Sequence, residues 1–84
     1  MKVSQFNDVK NQFTITDDDG NRYFQSYDSI IVKYDMKNDK TYLDERYWNY
    51  STTTSKYRNQ FLGETTKETE AKIKSGEYKL VNLN

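Results

Sequence analysis

The 84-residue chain contains no cysteine, no histidine and no proline, and only three glycines. Without cysteine there is no disulfide and no thiol nucleophile. Without either cysteine or histidine, the usual zinc sites, haem ligation and an imidazole general base are excluded. The absence of cysteine fits a reducing cytoplasm. No apolar run approaches the roughly 20 residues that span a bilayer, and the opening "MKVSQFNDVK" lacks the apolar core of a signal segment. A soluble, cytoplasmic protein without membrane contact is expected. An excess of one charge is missing too: 13 basic residues balance 13 acidic ones, whereas a dedicated non-specific DNA binder is strongly basic.

What the chain has is aromatic residues, 15% of the total, among them eight tyrosines and a single tryptophan. The length suits one domain, residues 1–84, with one core. Leucine, valine and alanine are scarce, so Phe, Tyr, Ile and Trp must fill that core, each ring burying roughly 150–250 Å². A domain this small does not bury eight tyrosines, and exposed Tyr, Trp and Arg are the residue types enriched at binding hot spots. Charge is unevenly spread. Nine acidic and six basic residues precede Arg46, and four acidic and seven basic follow from it, a polarity able to orient a charged partner.

The patterning predicts an α+β fold: a mostly antiparallel sheet, made of a four-stranded meander plus a C-terminal strand, with two short helices packed on one face. In "NQFTITDDDGNRYFQSYD", Phe13 and Ile15 alternate with Thr14 and Thr16, the acidic Asp-Gly stretch turns, and Arg22 to about Tyr27 returns. In "SIIVKYDMKNDKTYLDE", Ile30, Val32 and Tyr34 are expected on one face, with a turn at "MKND" and a return over Thr41 to Leu43. The period then changes. Tyr57 and Phe61 stand at i and i+4, Gly63 closes that helix, and any of Ser51 to Thr54 caps its start. Thr65 and Glu68 form a capping box for a second helix with Ala71 and Ile73 as its apolar face, ended by Gly76. The closing "EYKLVNLN" reads as a strand that joins an edge of the meander. Open sheet edges invite pairing, so a homodimer is among the expected partners.

No stretch spells out a reaction. Asp17, Asp19, Asn21 and Asp28 imitate the outline of a calcium loop, but Arg22 occupies the position that demands glycine, and strands flank it, so a solvated turn is expected and no metal. Asp44-Glu45 and Asp17 to Asp19 are adjacent carboxylates expected to share solvent, whereas catalytic pairs need separate environments. Serine and threonine lack a histidine to activate them. No catalytic residue and no cofactor is assigned, and the protein is read as a non-enzyme. Two surfaces remain. Asp17, Asp18, Asp19, Asp44, Glu45, Tyr47 and Tyr50 form an acidic and aromatic candidate for protein binding. Arg46, Lys56 and Arg58, near Tyr47, Trp48, Tyr50 and Tyr57, form the alternative, nucleic-acid-binding candidate, since bases stack on aromatics and cations take phosphates. Trp48, Tyr57 and Phe61 are expected inward, and Tyr47, Tyr50 and the basic residues outward.

The segments "FQSYDSIIVKYD", "YLDERYWNYSTTTSKYRNQFLGETTKET" and "GEYKLVNLN" resemble a family of small proteins, of unknown function, carried by phages and mobile elements of low-GC Gram-positive bacteria. The resemblance runs from Phe24 to Asn84 and brings no catalytic residues. It implies a cytoplasmic, non-enzymatic interaction protein acting on a host protein. By analogy with other small phage proteins it implies an inhibitor of host defence, of the anti-CRISPR kind. A Cas9-type effector, whose nucleic-acid channels are basic, is the implied target, with "DDDG" and "DER" standing in for phosphates.

Overall fold

The computed structural model describes residues 1–84. Six strands lie in chain order in one sheet: β1 (Lys2–Gln5), β2 (Gln12–Thr16), β3 (Arg22–Ser26), β4 (Ser29–Asp35), β5 (Lys40–Asp44) and β6 (Tyr78–Val81). The first five form an antiparallel meander, and β6 runs parallel to β5. A parallel neighbour requires a long crossover, which α1 (Thr52–Leu62) and α2 (Thr66–Ser75) supply. The α+β architecture expected from patterning is therefore present, with one strand more. β1 carries a single apolar residue in "KVSQ" and is exposed throughout, so it has no alternation to betray it.

Local chemistry shapes the connections. At the β2–β3 turn, one Asp17 carboxylate oxygen accepts the N–H groups of Asp19 (3.0 Å) and Asn21 (2.9 Å), while the other takes the Asn21 amide (3.2 Å) and the Tyr23 hydroxyl (2.9 Å). Gly20, at φ 87°, provides the left-handed residue this turn needs. The β3–β4 turn places Tyr27 at φ 56°, a conformation costly for a bulky side chain.

A bulge separates the two faces of β4. Phe24 lies opposite Val32 but Gln25 opposite Ile30, which leaves Ile31 inserted. Consecutive residues of a regular strand point to opposite faces. The inserted residue breaks that alternation, and Ile31 and Val32 are both fully buried. It also corrects the expectation that Ile30, Val32 and Tyr34 share a face. Ile30 follows Gln25 and Tyr23, away from Val32.

The helices are capped as their sequences suggest. The Ser51 hydroxyl accepts from Thr54 N at the start of α1, and the Thr65–Glu68 box closes both ways at the start of α2 (3.2 and 3.0 Å). Each such cap is worth about 1 kcal/mol. Ile73 packs on the core as expected, but Ala71 is exposed. The fully buried residue of α2 is Thr69, whose hydroxyl donates to Glu64 Oε2 at 2.5 Å.

The core is Phe24, Ile31, Val32, Leu43 and Tyr78, with Phe6, Tyr47, Trp48, Tyr57, Phe61, Leu62 and Ile73 packed against it. Phe24 stacks on Phe61 at 5.7 Å and meets the edge of Phe6 at 5.7 Å, contacts worth about 0.5–1.5 kcal/mol each beyond their burial. Arg22 lies over the Phe61 ring, the Ser26 hydroxyl bonds that of Thr54, and the Tyr78 hydroxyl donates to Glu64. Every one of these contacts uses the same sheet face. The molecule is accordingly thin, 22 Å against 31 and 30 Å in the other directions. It has one sheet, one helical layer, and nothing on the sheet's second face.

Candidate functional site

The second face is the candidate site. Register across the sheet builds one unbroken row on it: Val3, Ile15, Tyr23, Lys33, Tyr42 and Lys79, one from each strand. A neighbouring row carries Gln5, Phe13, Gln25 and Ile30. None of these side chains belongs to the core cluster or packs against it. Val3 is 60% exposed, and Phe13, Ile15, Tyr23, Ile30 and Tyr42 are half-buried by their neighbours alone.

The face has two halves. Over β1 to β4 it is mostly apolar, interrupted by Gln5 and Gln25, with a shallow cleft of about 300 Å³ walled by Met1, Ile15, Tyr23 and Ile30 and edged by Asp17. Burial works against ionisation of Asp17, but hydrogen bonds from Tyr23, Asn21 and Asp19 outweigh it and hold its carboxyl below the usual range. The same contact, with burial acting first, raises the pKa of Tyr23, so the phenol stays protonated. Over β4 to β6 the row turns basic. Lys33 and Lys79 flank Tyr42, and neither has a carboxylate within ion-pairing distance. The Lys33 ammonium sits 5.9 Å from the Tyr23 ring centre.

The acidic and aromatic candidates do not form one surface. Asp17, Asp18 and Asp19 lie at the end of the sheet where Arg22, Tyr34 and Thr41 align, whereas Asp44 closes β5 at the opposite end. Asp17 is committed to its turn, and Asp18 meets the chain's amino group at 2.6 Å while 90% of its side chain stays exposed. Asp44 and Glu45 do not share solvent. Glu45 is exposed, while Asp44 is 1% exposed. The Asp44 carboxylate accepts the N–H groups of Arg46 (3.1 Å), Tyr47 (2.9 Å) and Leu83 (2.9 Å). Burial raises its pKa, yet the Leu83 N–H, the Asn84 amide and the N–H groups of Tyr47 and Arg46 together bring it below its ordinary value. Asp44 is a structural clasp. Tyr47 packs partly on the core, and Tyr50, half exposed, meets it edge-on at 5.4 Å.

The basic candidate divides as well. Arg46 and Lys56 are exposed, but Arg58 is fully buried. Its guanidinium donates to the Trp48 carbonyl, to Asn49 Oδ1 (3.2 Å), Ser55 Oγ (3.4 Å), Asn59 Oδ1 (2.9 Å) and Thr66 Oγ1 (2.9 Å), and lies 5.1 Å from the Trp48 ring centre. Burial lowers its pKa, with the charges of Glu64 and Glu70 opposing. Arg58 is inward, against expectation, because the polar groups around it supply acceptors to its two terminal nitrogens, while its Nε is buried without a partner. Trp48, Tyr57 and Phe61 lie partly buried against the core.

Phe13 and Ile15 were legible as an apolar strand face, but not as the face that helices leave bare. The signal for a second apolar face lies in consecutive pairs such as Tyr23-Phe24 and in Ile30-Ile31-Val32, which put apolar groups on both sides of a strand.

These features define a small, open-faced α+β domain, one sheet with helices on a single side. The chain belongs to a family of unknown function, DUF8033, whose model matches residues 1–77. That match includes the first two dozen residues, and so the whole of β1 and β2. No curated protein and no solved structure matches the chain. No helix is long and apolar enough to cross a membrane.

Proposed function

We propose that the protein is a cytoplasmic, non-catalytic interaction protein that binds another protein through the bare sheet face. The observation that carries this reading is the apolar half of that face. Val3, Ile15 and Tyr23 stand in register over three strands, and Ile30 of β4 joins Ile15 and Tyr23 in the cleft, with no layer above them. Adjoining apolar side chains left in water at such a site mark a contact surface. Tyr23 supplies the rigid, amphipathic ring typical of a hot spot.

The test is capture from host lysate by tagged protein, comparing wild type with Ile15→Ser/Tyr23→Ser and with Lys67→Glu on the exposed side of α2. The reading expects the double variant to keep its circular dichroism spectrum and lose the captured protein, while Lys67→Glu keeps it. Retention by the double variant overturns it. The narrower expectation of a Cas9-type effector engaged by the phosphate-mimicking carboxylates of "DDDG" and "DER" calls on the acidic residues instead, of which Asp18, Asp19 and Glu45 are exposed. Asp18→Lys/Asp19→Lys then loses the partner while Ile15→Ser/Tyr23→Ser does not.

One arrangement favours a second reading. Tyr42 between Lys33 and Lys79 offers a ring for a base with a cation on either side for the backbone of a single-stranded nucleic acid. Two phosphate contacts imply a log–log salt slope of about −1.4 in a fluorescence titration with single-stranded DNA. Unchanged affinity in Tyr42→Ala and Lys33→Ala removes this reading.

A further inference from the structure

The apolar row on the bare face stops abruptly at β1, whose four residues are all exposed and whose outer edge no other strand covers. Val3, the last member of the row, is 60% exposed. We propose that β1 pairs antiparallel with β1 of a second copy of this chain, joining the two sheets and making their bare faces one surface. This goes beyond the binding reading above and stands without it.

Geometry selects the register. Residues directly opposite each other in an antiparallel pair lie on the same face, so Val3 and Gln5, which face outward, cannot sit opposite Lys2 or Ser4. Centring the two-fold axis on Lys2 sets like charges against each other. Centring it on Ser4 brings Lys2 opposite Phe6, which has left the strand for the 3-10 turn Phe6–Asp8 and packs on Phe24. Centring it on Val3 sets Val3 against Val3 of the second copy, Lys2 against Ser4 and Met1 against Gln5. No like charges oppose and no residue of the turn is needed; the ladder rests on Lys2, Val3 and Ser4, since Met1 lies outside β1 with its amino group on Asp18.

In that register the row reads Tyr23, Ile15, Val3 and then Val3, Ile15, Tyr23 of the second copy. The second copy thus supplies half of one apolar strip, and the isologous contact closes after two chains. The other edge, β6, does not extend the strip, because the row ends there on Lys79. A pairing of so few residues falls at the low end of interface size, so the dimer is weak and is best detected by trapping.

The chain has no cysteine of its own, which makes disulfide trapping clean. Residues directly opposite across the axis are about 4.5–5.5 Å apart at Cα, within the reach of a disulfide. Ser4 and its own copy are then about 8 Å apart, two residues out of step, and cannot be bridged. Purified full-length Val3→Cys, Ser4→Cys, Leu80→Cys and Lys67→Cys are oxidised side by side. The exposed helical position Lys67 measures random collision. The proposal expects Val3→Cys to form covalent dimer about tenfold faster than Lys67→Cys, through the effective concentration that pairing provides, with Ser4→Cys and Leu80→Cys at the background rate. Faster trapping through Ser4 overturns the register. Faster trapping through Leu80 moves the junction to β6 and overturns the proposal. Background rates at all four positions also overturn it.

Discussion

Arg58→Ala tests the chemistry of the interior most directly. The guanidinium is fully buried, has no carboxylate within ion-pairing distance, and is held by five neutral oxygens from α1, from the loop before it and from Thr66 at the start of α2. Truncation leaves the Trp48 carbonyl and the Asn49, Asn59 and Thr66 acceptors with fewer donors, strips the cation from the Trp48 ring, and opens a void under α1. Leaving buried acceptors short of a donor costs about 1–3 kcal/mol, and the void left by the side chain adds to it, for a total of about 3 kcal/mol. A domain of this length has about 4–13 kcal/mol of stability in total. At about 4–8 °C per kcal/mol, a loss of 3 kcal/mol lowers Tm by roughly 12–24 °C. The assay is thermal and urea unfolding followed by fluorescence of the single tryptophan and by circular dichroism. Arg58→Lys should fall between wild type and Ala, since an ammonium lacks the planar fork and reaches fewer of the five acceptors. A change within about 0.5 kcal/mol, the range of ordinary surface substitutions, would refute this account and return Arg58 to the surface role its sequence suggests.

Asp44 makes the protein acid-sensitive. Its folded pKa lies below the ordinary value of about 4, so its contribution is complete above that value and is lost as pH falls through the folded one. Tm measured from about pH 6 down to about pH 2 should drop, and Asp44→Asn should be less stable at neutral pH with a shallower fall; an equally steep fall in the variant would assign the effect to other carboxylates. At the β3–β4 turn, Tyr27→Gly should raise stability by about 0.5–1 kcal/mol, the left-handed penalty less the entropy of glycine. A lower Tm in calorimetry would show that the Tyr27 side chain holds the turn by contacts that outweigh its strain.

The parts of the fold that announced themselves were those fixed by local chemistry. Asp-Gly at Asp19-Gly20 marked a turn, Thr65 and Glu68 marked a helix start, and Gly63 and Gly76 marked helix ends, each through bonds or dihedrals within a few residues. What stayed hidden depends on distant partners. β1 is a strand because β2 offers it an edge, not because "KVSQ" alternates. The slip that sends Ile30 and Val32 to opposite faces is a property of the β3–β4 pair. Arg58 and Asp44 looked like surface charges because nothing near them in sequence reveals that Thr66 and Leu83 will close over them. The bare face was equally hidden, since it is defined by where the helices do not go.

The parallel strand β6 has a consequence for the protein's birth. Asn84 clasps the backbone of Ile30, 54 residues earlier, through both its amide nitrogen and its oxygen, and Leu83 completes the shell of Asp44. During translation the five-stranded meander leaves the ribosome first, with the β5 edge open and a buried carboxylate still short of a donor. Closing so long a loop is slow relative to local hairpins. A nascent chain therefore passes through a stage in which β5 is a free, sticky strand. A chain truncated after Gly76 would expose that stage, and it should bind chaperones more strongly than the full chain, in which Leu83 and Asn84 close over β5.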